Sequence, residues 1–333
     1  MTTSTTTTST PTMHALLIRH FGGPEAVEFA DLPVPEPREG ELLLKVEAAS
    51  LNPVDWKIRS GKYPAVKEDQ LPFVLGRDLC ATVITSNDAG LPPGTLVHGL
   101  MATGHGSFAQ YVLAHANELA RVPGALDRIT AAAVPLAGLT AWQGLFDHGQ
   151  LQAGQRVLIH AGAGGVGHLA VQFAKARGAT VITTVSSHDV DFVRSLGADQ
   201  VIAHDKERFD DLVRDVDLVY DLIGGETQER SWPLLKKGGT LVCTVQEPPQ
   251  DKARAHGVRA LRYTARPDAD QLREIDALIQ AGKVKPHVAR RYAYGDAKEA
   301  LRSLEQGHTT GKLVLDMAGA IADVPDPIYR PGD

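Results

Sequence analysis

The chain has 333 residues, of which 43% are hydrophobic, and it carries a formal net charge of −6. That length suits two domains with separate cores, and a mild negative charge without a basic patch argues against nucleic acid as the main partner. No apolar run reaches the length of a membrane span, so we expect no membrane association. Two cysteines, Cys80 and Cys243, are too few for a disulfide framework or a multi-cysteine zinc site. They fit a reducing compartment, which favours a cytoplasmic protein.

The two ends of the chain differ in composition from the rest. Residues 1–12 form a Thr/Ser tract without Lys or Arg, which predicts a disordered tail and argues against a targeting signal. Residues 321–333 are rich in Pro and Asp, and we expect a second loose tail there.

The N-terminal third has the pattern of a β-rich domain. Strands are predicted over 15–19 and 42–47. Short strands and many turns follow between 75 and 123, which is typical of an antiparallel β-barrel. A helix predicted over 136–146 then connects this domain to the middle of the chain.

The middle of the chain is organised around a glycine-rich turn. A strand over 156–161 leads into it and a helix over 168–177 leads out, as a dinucleotide site requires. Gly162 permits the tight turn, Gly164 lets backbone N–H groups approach a pyrophosphate at the helix N-terminus, and Gly167 lets the helix pack on the strand. The spacing alone could mark a flexible turn, but the flanking strand and helix favour the nucleotide site. The cofactor-binding residues predicted here are Gly162, Gly164, Gly165, Val166 and Gly167.

Short apolar strands and helical segments keep alternating after this turn. The predicted strands cover 180–185, 200–203, 217–223 and 239–245. This alternation predicts a parallel sheet built from βαβ units, that is, a Rossmann domain. A last strand is expected within 256–265 and a helix over 269–280. A late strand over 312–316 could return to the first domain and make that domain discontinuous.

Several stretches of the chain are similar to one known family. They are the glycine turn and residues 52–61, 135–142, 234–239 and 307–315. The chain resembles the zinc-independent quinone oxidoreductase (zeta-crystallin-like) group of the medium-chain dehydrogenases/reductases. The resemblance implies an α/β fold in which a Rossmann doubly wound parallel sheet (138–282) is inserted into a GroES-like β-barrel catalytic domain (13–137, completed by 283–320).

The same resemblance implies an activity. NADPH would bind in a cleft between the domains and reduce a quinone or the C=C bond of an α,β-unsaturated carbonyl, without a metal. Two alternatives stay open: a secondary-alcohol dehydrogenase, which would need a metal or base for the alcohol proton, and a non-catalytic NADPH-binding protein. The segments 60–75 and 246–256 would shape the substrate site.

The metal-dependent branch of the family offers a direct comparison. It holds zinc with a Cys, a His–Glu pair and a further Cys. In this chain Asn52 stands at the first Cys position, and Gly76, Arg77 and Asp78 stand where Gly-His-Glu is expected. An arginine has no free lone pair for zinc, so we predict a metal-free enzyme.

The residues after the second Rossmann strand bear on the choice of cofactor. An NAD site usually has an acidic residue there that binds the ribose hydroxyls, whereas this chain has Ser186 and Ser187. Their hydroxyls could donate to the 2′-phosphate of NADPH, and by resemblance His204 lies near that phosphate. Asp189 stands where many relatives have a lysine, which counts against this interpretation. The serines could also simply cap the next helix.

Three further residues complete the predicted cofactor site. By resemblance, Thr140 lies near the nicotinamide and Lys312 belongs to the strand that closes the cleft. Val245, at the end of the strand predicted over 239–245, is included with them. The alternatives are a threonine that bonds its own helix backbone and a solvated lysine at a strand edge.

Catalytic help is expected from the segment that replaces the zinc-binding loop, and we predict Asn52, Asp55 and Lys57 as the catalytic residues. Lys57 could place an ammonium near the oxygen of a developing enolate, and the Asn52 amide could donate a hydrogen bond there. The segment also has a structural explanation, with Asn52 as N-cap, Pro53 at the first helical position and Asp55 at N3. An exposed helix lysine is the alternative for Lys57.

A homodimer is expected by resemblance, through a sheet edge near 239–245. That segment is apolar and β-prone, so leaving it exposed would invite aggregation. The alternative is an edge covered by the same chain.

Overall fold

The computed structural model describes residues 11–307 and 309–317. The tails expected over 1–12 and 321–333 therefore fall outside the described residues, except at the end of the first tail. There, Thr12 already opens a strand.

The first domain is built mainly from strands. They are β1 (Thr12–Ile18), β2 (Val27–Pro33), β3 (Glu41–Leu51), β4 (Phe73–Val74), β5 (Asp78–Thr85), β6 (Leu96–Leu100), β7 (Tyr111–His115) and β8 (Leu119–Arg121). Its helices are α1 (Pro53–Arg59), α2 (Arg128–Ala132) and α3 (Pro135–Trp142). A π-helical turn over Gln143–His148 extends α3 towards the second domain.

The second domain alternates strands and helices. They are β9 (Arg156–His160), α4 (Gly167–Ala176), β10 (Thr180–Val185), α5 (Val190–Ser195), β11 (Gln200–Ala203), α6 (Phe209–Leu212), β12 (Val216–Asp221), α7 (Gly225–Ser231), β13 (Leu235–Cys243), α8 (Gln250–His256), β14 (Arg259–Arg262) and α9 (Ala269–Gln280). The chain then continues through β15 (Val288–Ala293), α10 (Ala297–Gln306) and β16 (Lys312–Asp316). Across residues 11–307 and 309–317, no helix combines the length and the apolar character that crossing a bilayer requires.

The sheet of the second domain has six parallel strands in the order β11-β10-β9-β12-β13-β14. Along β9, Val157 and Ile159 pack into one core while Leu158 packs into the core on the opposite face. This alternation follows from the two-residue period of a strand. The strand order reverses at β9, and the glycine turn follows its carboxyl end, where open parallel sheets bind their ligands.

The first domain is closed by the last strand that the structure describes. β16 lies antiparallel to β3, with Leu313 opposite Leu51. The larger sheet runs β15-β16-β3-β5-β6-β8, with β7 paired to the other half of β3, and β2-β1-β4 forms a second sheet. A separate core fills this domain. The architecture is the expected one, a Rossmann domain inserted into a GroES-like domain.

Some elements differ from the predictions. The sequence analysis missed β15 because its arginines, Arg290 and Arg291, are exposed and no apolar pattern marks it. The strand expected within 256–265 is only β14. Most of 246–256 is α8, which ends at Gly257 in the left-handed conformation with φ 64°.

The position of β13 contradicts the predicted dimer contact. β13 is hydrogen-bonded to β12 on one side and to β14 on the other. The segment near 239–245 is therefore not an edge, and the prediction that two chains pair through it is wrong. The alternative was an edge covered by the same chain, and β14, the next strand, covers β13 in this way.

Candidate active site

Two cavities lie along the carboxyl ends of the parallel strands, one on each side of the glycine turn. The first, which we call the glycine-turn cavity, measures about 420 Å³ and is lined by residues that include Gly164, Ser186, His188, Asp189, His204 and Arg230. The second, which we call the interdomain cavity, measures about 340 Å³ and is lined by residues that include Asn52, Lys57, Thr140, Val166, Val245 and Arg262. Most of the predicted site residues thus line one of these two cavities or belong to the glycine turn between them.

The glycines of the turn are needed for two different reasons. A Cβ at Gly162 would stand 2.0 Å from Thr183 Oγ1, and one at Gly167 would stand 2.0 Å from the Ala161 carbonyl oxygen. The fold itself therefore requires both glycines. A Cβ at Gly164 would meet only that same oxygen, at 3.5 Å, an ordinary contact. The protein leaves space there, which fits a bound phosphate approached by backbone N–H groups.

His168 ties the glycine turn to the first domain, a role that the sequence analysis missed. Its Nε2 accepts the His287 N–H at 3.1 Å, so its Nδ1 carries the proton and donates to the Gly164 carbonyl at 3.0 Å. Burial lowers the pKa of His168 to about 4. The ring is therefore neutral near pH 7, as both hydrogen bonds require.

Lys312 lies beneath the turn and is not a solvated edge residue. Its side chain is only 4% exposed, and a Cβ at Gly165 would stand 2.8 Å from its Cδ. The ammonium donates to the Leu51 carbonyl at 3.0 Å and to Asn52 Oδ1. Burial lowers the pKa of Lys312, and the nearby carboxylates of Asp78 and Asp55 oppose that shift.

Asp78 is the centre of a buried hydrogen-bond network. It accepts hydrogen bonds from Ser50 Oγ at 2.8 Å, from Asn52 Nδ2 at 3.0 Å and from the Leu136 N–H at 3.1 Å. Burial raises the pKa of Asp78, while Lys312 and these donors lower it. In the sequence Asp78 was visible only as a departure from a metal-binding motif, so its structural role was missed.

The network changes the role expected for Asn52. Its Nδ2 donates to Asp78 and, at 3.2 Å, to the Ser50 carbonyl, while its Oδ1 accepts from Lys312. Both amide protons therefore already have acceptors within the protein. The expected free amide donor is not available in this arrangement, and Asn52 instead shapes the cavity wall that it lines.

Asp55 lies at N3 of α1, the position that the helix pattern predicted. Its Oδ2 accepts the Asn52 N–H at 2.7 Å, which fixes the start of α1. The side chain is fully buried, and burial raises its pKa to about 7. Asp55 is not among the residues that line the interdomain cavity, so it acts on the site through Asn52.

Lys57 does reach the interdomain cavity. It is half-buried, and its ammonium lies 5.8 Å from the centroid of the Trp56 ring. Burial, and then the positive charge of Arg262, lower its pKa. An amine with a lowered pKa that faces a cavity can donate a hydrogen bond or a proton more readily than a solvated lysine.

The position of the zinc site in the metal-dependent branch is filled by groups that do not fit zinc. The Arg77 guanidinium is buried and donates to the Met101 carbonyl from Nε at 3.2 Å and from Nη2 at 3.1 Å. Asp78 is already committed to its network, and Asn52 is neutral. Among the described residues, no group of three or more His, Cys, Asp or Glu side chains could hold a metal ion.

Two of the three residues predicted to contact the 2′-phosphate line the glycine-turn cavity. Ser186 Oγ and His204 Nε2 lie 3.3 Å apart on its wall. Ser187 does not line it, because its hydroxyl and its N–H both donate to Asp205, at 2.7 and 2.8 Å. Asp189 does line the cavity wall, but its carboxylate accepts a hydrogen bond from Thr310 Oγ1 at 2.6 Å.

Thr140 and Val245 both line the interdomain cavity, and neither offers it a free polar group. Thr140 Oγ1 donates to the Leu136 carbonyl at 2.6 Å, as the backbone-bonded alternative expected. Val245 is 40% exposed, unusual for a large apolar side chain inside a domain. A flat ring bound between them would cover this apolar surface.

Of the two segments expected to shape the substrate site, only 60–75 lines the interdomain cavity. Lys62, Tyr63 and Pro64, within 60–75, line the interdomain cavity. No residue of 246–256 does so, because that stretch folds as α8 on the outside of the sheet. Arg262 and Thr264, which follow it, take the position instead.

Two family models and a related plant protein match this chain. A family model described as an alcohol dehydrogenase GroES-like domain matches residues 38–124, and one described as a zinc-binding dehydrogenase matches residues 196–315. The chain is 34% identical over 319 residues to the chloroplastic NADPH-dependent alkenal/one oxidoreductase of Arabidopsis thaliana, covering 91% of this chain and 79% of that protein.

Solved structures agree with these matches. The quinone oxidoreductase from Coxiella burnetii superimposes with a TM-score of 0.87 at 36% identity, covering 92% of this chain and 100% of that one. The mycobacterial protein Rv1454c, solved in complex with NADPH, gives a TM-score of 0.82 at 32% identity, again covering 92% and 100%. Both likenesses extend over both domains.

Proposed function

This chain belongs to the quinone oxidoreductase group of the medium-chain dehydrogenases/reductases, and we propose that it transfers a hydride from NADPH to a quinone or to the C=C bond of an α,β-unsaturated carbonyl. The observation that carries the proposal is the glycine turn. Gly164 leaves open space that the fold does not need, and the turn lies between a cavity suited to the adenosine end of a dinucleotide and a mostly apolar interdomain cavity.

NADPH, when bound, supplies the hydride. The backbone N–H groups at the start of α4 would hold its pyrophosphate, and Ser186 and His204 would face its 2′-phosphate. Thr140 and Val245 would hold the nicotinamide end against the interdomain cavity.

The chain's own residues would then stabilise the negative charge that develops on the substrate oxygen. Lys57 is the donor best placed for this, because it lines the interdomain cavity and the Asn52 amide is already engaged. Asp55 and Lys312 are positioning residues, since they hold the backbone and the side chain of Asn52. The apolar walls exclude water, which strengthens the interaction of Lys57 with a developing oxyanion.

NADPH oxidation followed at 340 nm tests the proposal. We expect steady turnover with 1,4-benzoquinone or a simple enone such as 2-cyclohexenone, and none with secondary alcohols and NADP⁺. NADPH binding without turnover on any quinone or enone would favour a non-catalytic NADPH-binding protein. Alcohol oxidation as the fastest reaction would favour a dehydrogenase.

We also propose that the protein is a cytoplasmic homodimer. Both cysteines are buried free thiols, as a reducing compartment allows. Within residues 11–307 and 309–317, β14 pairs with β13 alone, which leaves it as a sheet edge that a second copy would cover. Light scattering should give twice the 35.6 kDa of one chain, and a monomer at micromolar concentration would contradict the dimer. Fluorescent tagging in the source cell would test the compartment.

A further inference from the structure

The charged side chains that line the otherwise mostly apolar interdomain cavity are all cationic. Four basic side chains line it, and no Asp or Glu does; they are Lys57, Lys62, Arg77 and Arg262. The chain as a whole carries a net charge of −6. This concentration of positive charge is therefore local and opposite in sign to the rest of the protein.

Three of these cations have no carboxylate partner within the part of the chain that the structure describes. They are Lys57, Lys62 and Arg262. The Trp56 ring lies 5.8 Å from Lys57 Nζ and 5.9 Å from Lys62 Nζ, and the positive charge of Arg262 acts on Lys57. By contrast, Arg230, which lines the glycine-turn cavity, pairs with Asp210. Unpaired like charges around a cavity repel each other, and an anion bound between them relieves that repulsion.

The cofactor does not account for this cluster. The phosphates of the dinucleotide would lie at the glycine turn and along the glycine-turn cavity, and that cavity is lined by none of Lys57, Lys62 and Arg262. The unpaired cations lie instead around the substrate side of the site, beside Tyr63 and Pro64. Lys62 and Arg262 are exposed, and Lys57 is half-buried.

The remaining walls favour an apolar or aromatic body. Trp56, Tyr63, Leu100 and Leu136 contribute them. A ligand complementary to the whole cavity therefore combines a flat, mostly apolar part with a negatively charged group.

We propose that the natural substrate is an electron-poor alkene or quinone that carries an anionic group, and that Arg262 and Lys62 bind this group at the cavity mouth while Lys57 faces the reacting oxygen. This inference rests on the proposed function and specifies its substrate class. Guanidinium and ammonium groups form charge-assisted hydrogen bonds with such an anion, which are about twice as strong as neutral ones.

A matched pair of substrates tests the inference. 4-Oxo-2-pentenoate and its amide present the same enone, one with a carboxylate and one without a charge. We expect Arg262→Gln and Lys62→Gln each to lower kcat/KM for the carboxylate at least about tenfold, the factor expected for a lost hydrogen bond to a charged group. The amide should change less than about twofold in Lys62→Gln. In Arg262→Gln it should lose clearly less than the carboxylate does, because Arg262 also lowers the pKa of Lys57. The Kd for NADPH should stay constant in both variants.

Differences in intrinsic reactivity between the two compounds cancel, because each variant is compared with the wild type on both. Arg254→Gln is the matched control: this exposed arginine of α8 removes the same charge but lines neither cavity. We expect it to leave both substrates unaffected. Raising the ionic strength should weaken turnover of the carboxylate and not of the amide.

Three results would overturn the inference. Equal losses on carboxylate and amide would mean that the cations act on the reaction or on the fold. A matching rise in the Kd for NADPH would mean that they serve the cofactor, and unchanged kinetics would mean that they do not bind substrate. If neither compound nor 1,4-benzoquinone is reduced by the wild type, the proposed function itself fails, and that outcome is distinct from the other three.

Discussion

Alanine substitutions at Gly164 and Gly167 separate cofactor binding from folding. A Cβ at Gly167 would stand 2.0 Å from the carbonyl oxygen of Ala161, whereas a Cβ at Gly164 would meet the same oxygen at 3.5 Å. Gly167→Ala therefore forces the start of α4 away from β9. Gly164→Ala leaves the protein's own packing intact and places a methyl group where the pyrophosphate would lie.

The two variants should differ in both stability and affinity. Gly167→Ala should cost about 1–3 kcal/mol, as overpacked sites do, and lower Tm by roughly 2–4 °C for each kcal/mol. Gly164→Ala should change stability by less than about 1 kcal/mol. Loss of one or two hydrogen bonds to a charged phosphate, at about 1.5 kcal/mol each, should raise its Kd for NADPH about ten- to hundredfold.

Thermal unfolding followed by circular dichroism and NADPH titration followed by fluorescence provide the two measurements. Gly124→Ala is the control, because nothing lies within 4 Å of a Cβ at Gly124, and it should match the wild type in both. If Gly164→Ala binds NADPH normally, the turn does not hold the pyrophosphate. If Gly167→Ala melts like the wild type, the close approach of α4 to β9 is not required for stability.

Three further predictions concern single side chains. Lys57→Met keeps most of the stem and deletes the charge, so kcat/KM on the best enone should fall by ~10²–10³ with unchanged NADPH affinity; wild-type kinetics would make Lys57 a surface residue. Ser186→Asp places a carboxylate beside the 2′-phosphate, so the Kd for NADPH should rise more than about tenfold while that for NADH does not; equal effects in parallel titrations would contradict this placement. Burial raises the pKa of Asp55 from 3.8 to about 7, so the stability that its protonated form contributes is present below about pH 4 and is lost as the pH rises through 7. Asp55→Asn should therefore flatten the decline of unfolding free energy over that range by up to ~4 kcal/mol in denaturant titrations, and an unchanged pH slope would be the contrary outcome.

The parts of the site that depend on local rules were readable from the sequence. The glycine turn can be predicted from the spacing of its glycines and from the strand and helix on either side of it. The start of α1 needs Asn52, Pro53 and Asp55 in order, and the helix begins at Pro53 with Asn52 at the N-cap and Asp55 at N3, as the pattern predicts. The fold class followed from the same kind of local alternation of strands and helices.

The parts that were missed depend on contacts between residues far apart in the chain. The sequence suggested that the Asn52 amide could bind substrate. In the structure the amide is already hydrogen-bonded to Asp78 and Lys312, which lie on two other strands. Ser187 looked available to a phosphate until Asp205, 18 residues later, took its hydroxyl. The sequence around either residue does not indicate such a partner.

The edge of the Rossmann sheet shows the same limit. The apolar pattern of β13 predicts a strand but does not tell which strand lies beside it. A further strand was expected within 256–265, but nothing in its sequence indicates that it pairs with β13, so β13 was taken for the edge. Strand order is set by the packing of the whole sheet, which no single segment records.

The return of β16 to β3 sets an order for folding during synthesis. The Lys312 ammonium donates to the Leu51 carbonyl where the two strands meet, and these residues are 261 positions apart in the chain. β7 can pair with one half of β3 early, but the half at 48–51 has no partner on that side until β16 has left the ribosome. At roughly 5–20 residues per second, that open edge persists for about 13–50 s, while the Rossmann segment is already able to fold. An unpaired strand edge is a site of wrong association, so a nascent chain stalled before residue 312 should bind chaperones through its first domain and release them once β16 is added. Crosslinking to 48–51 on stalled ribosomes would show whether it does.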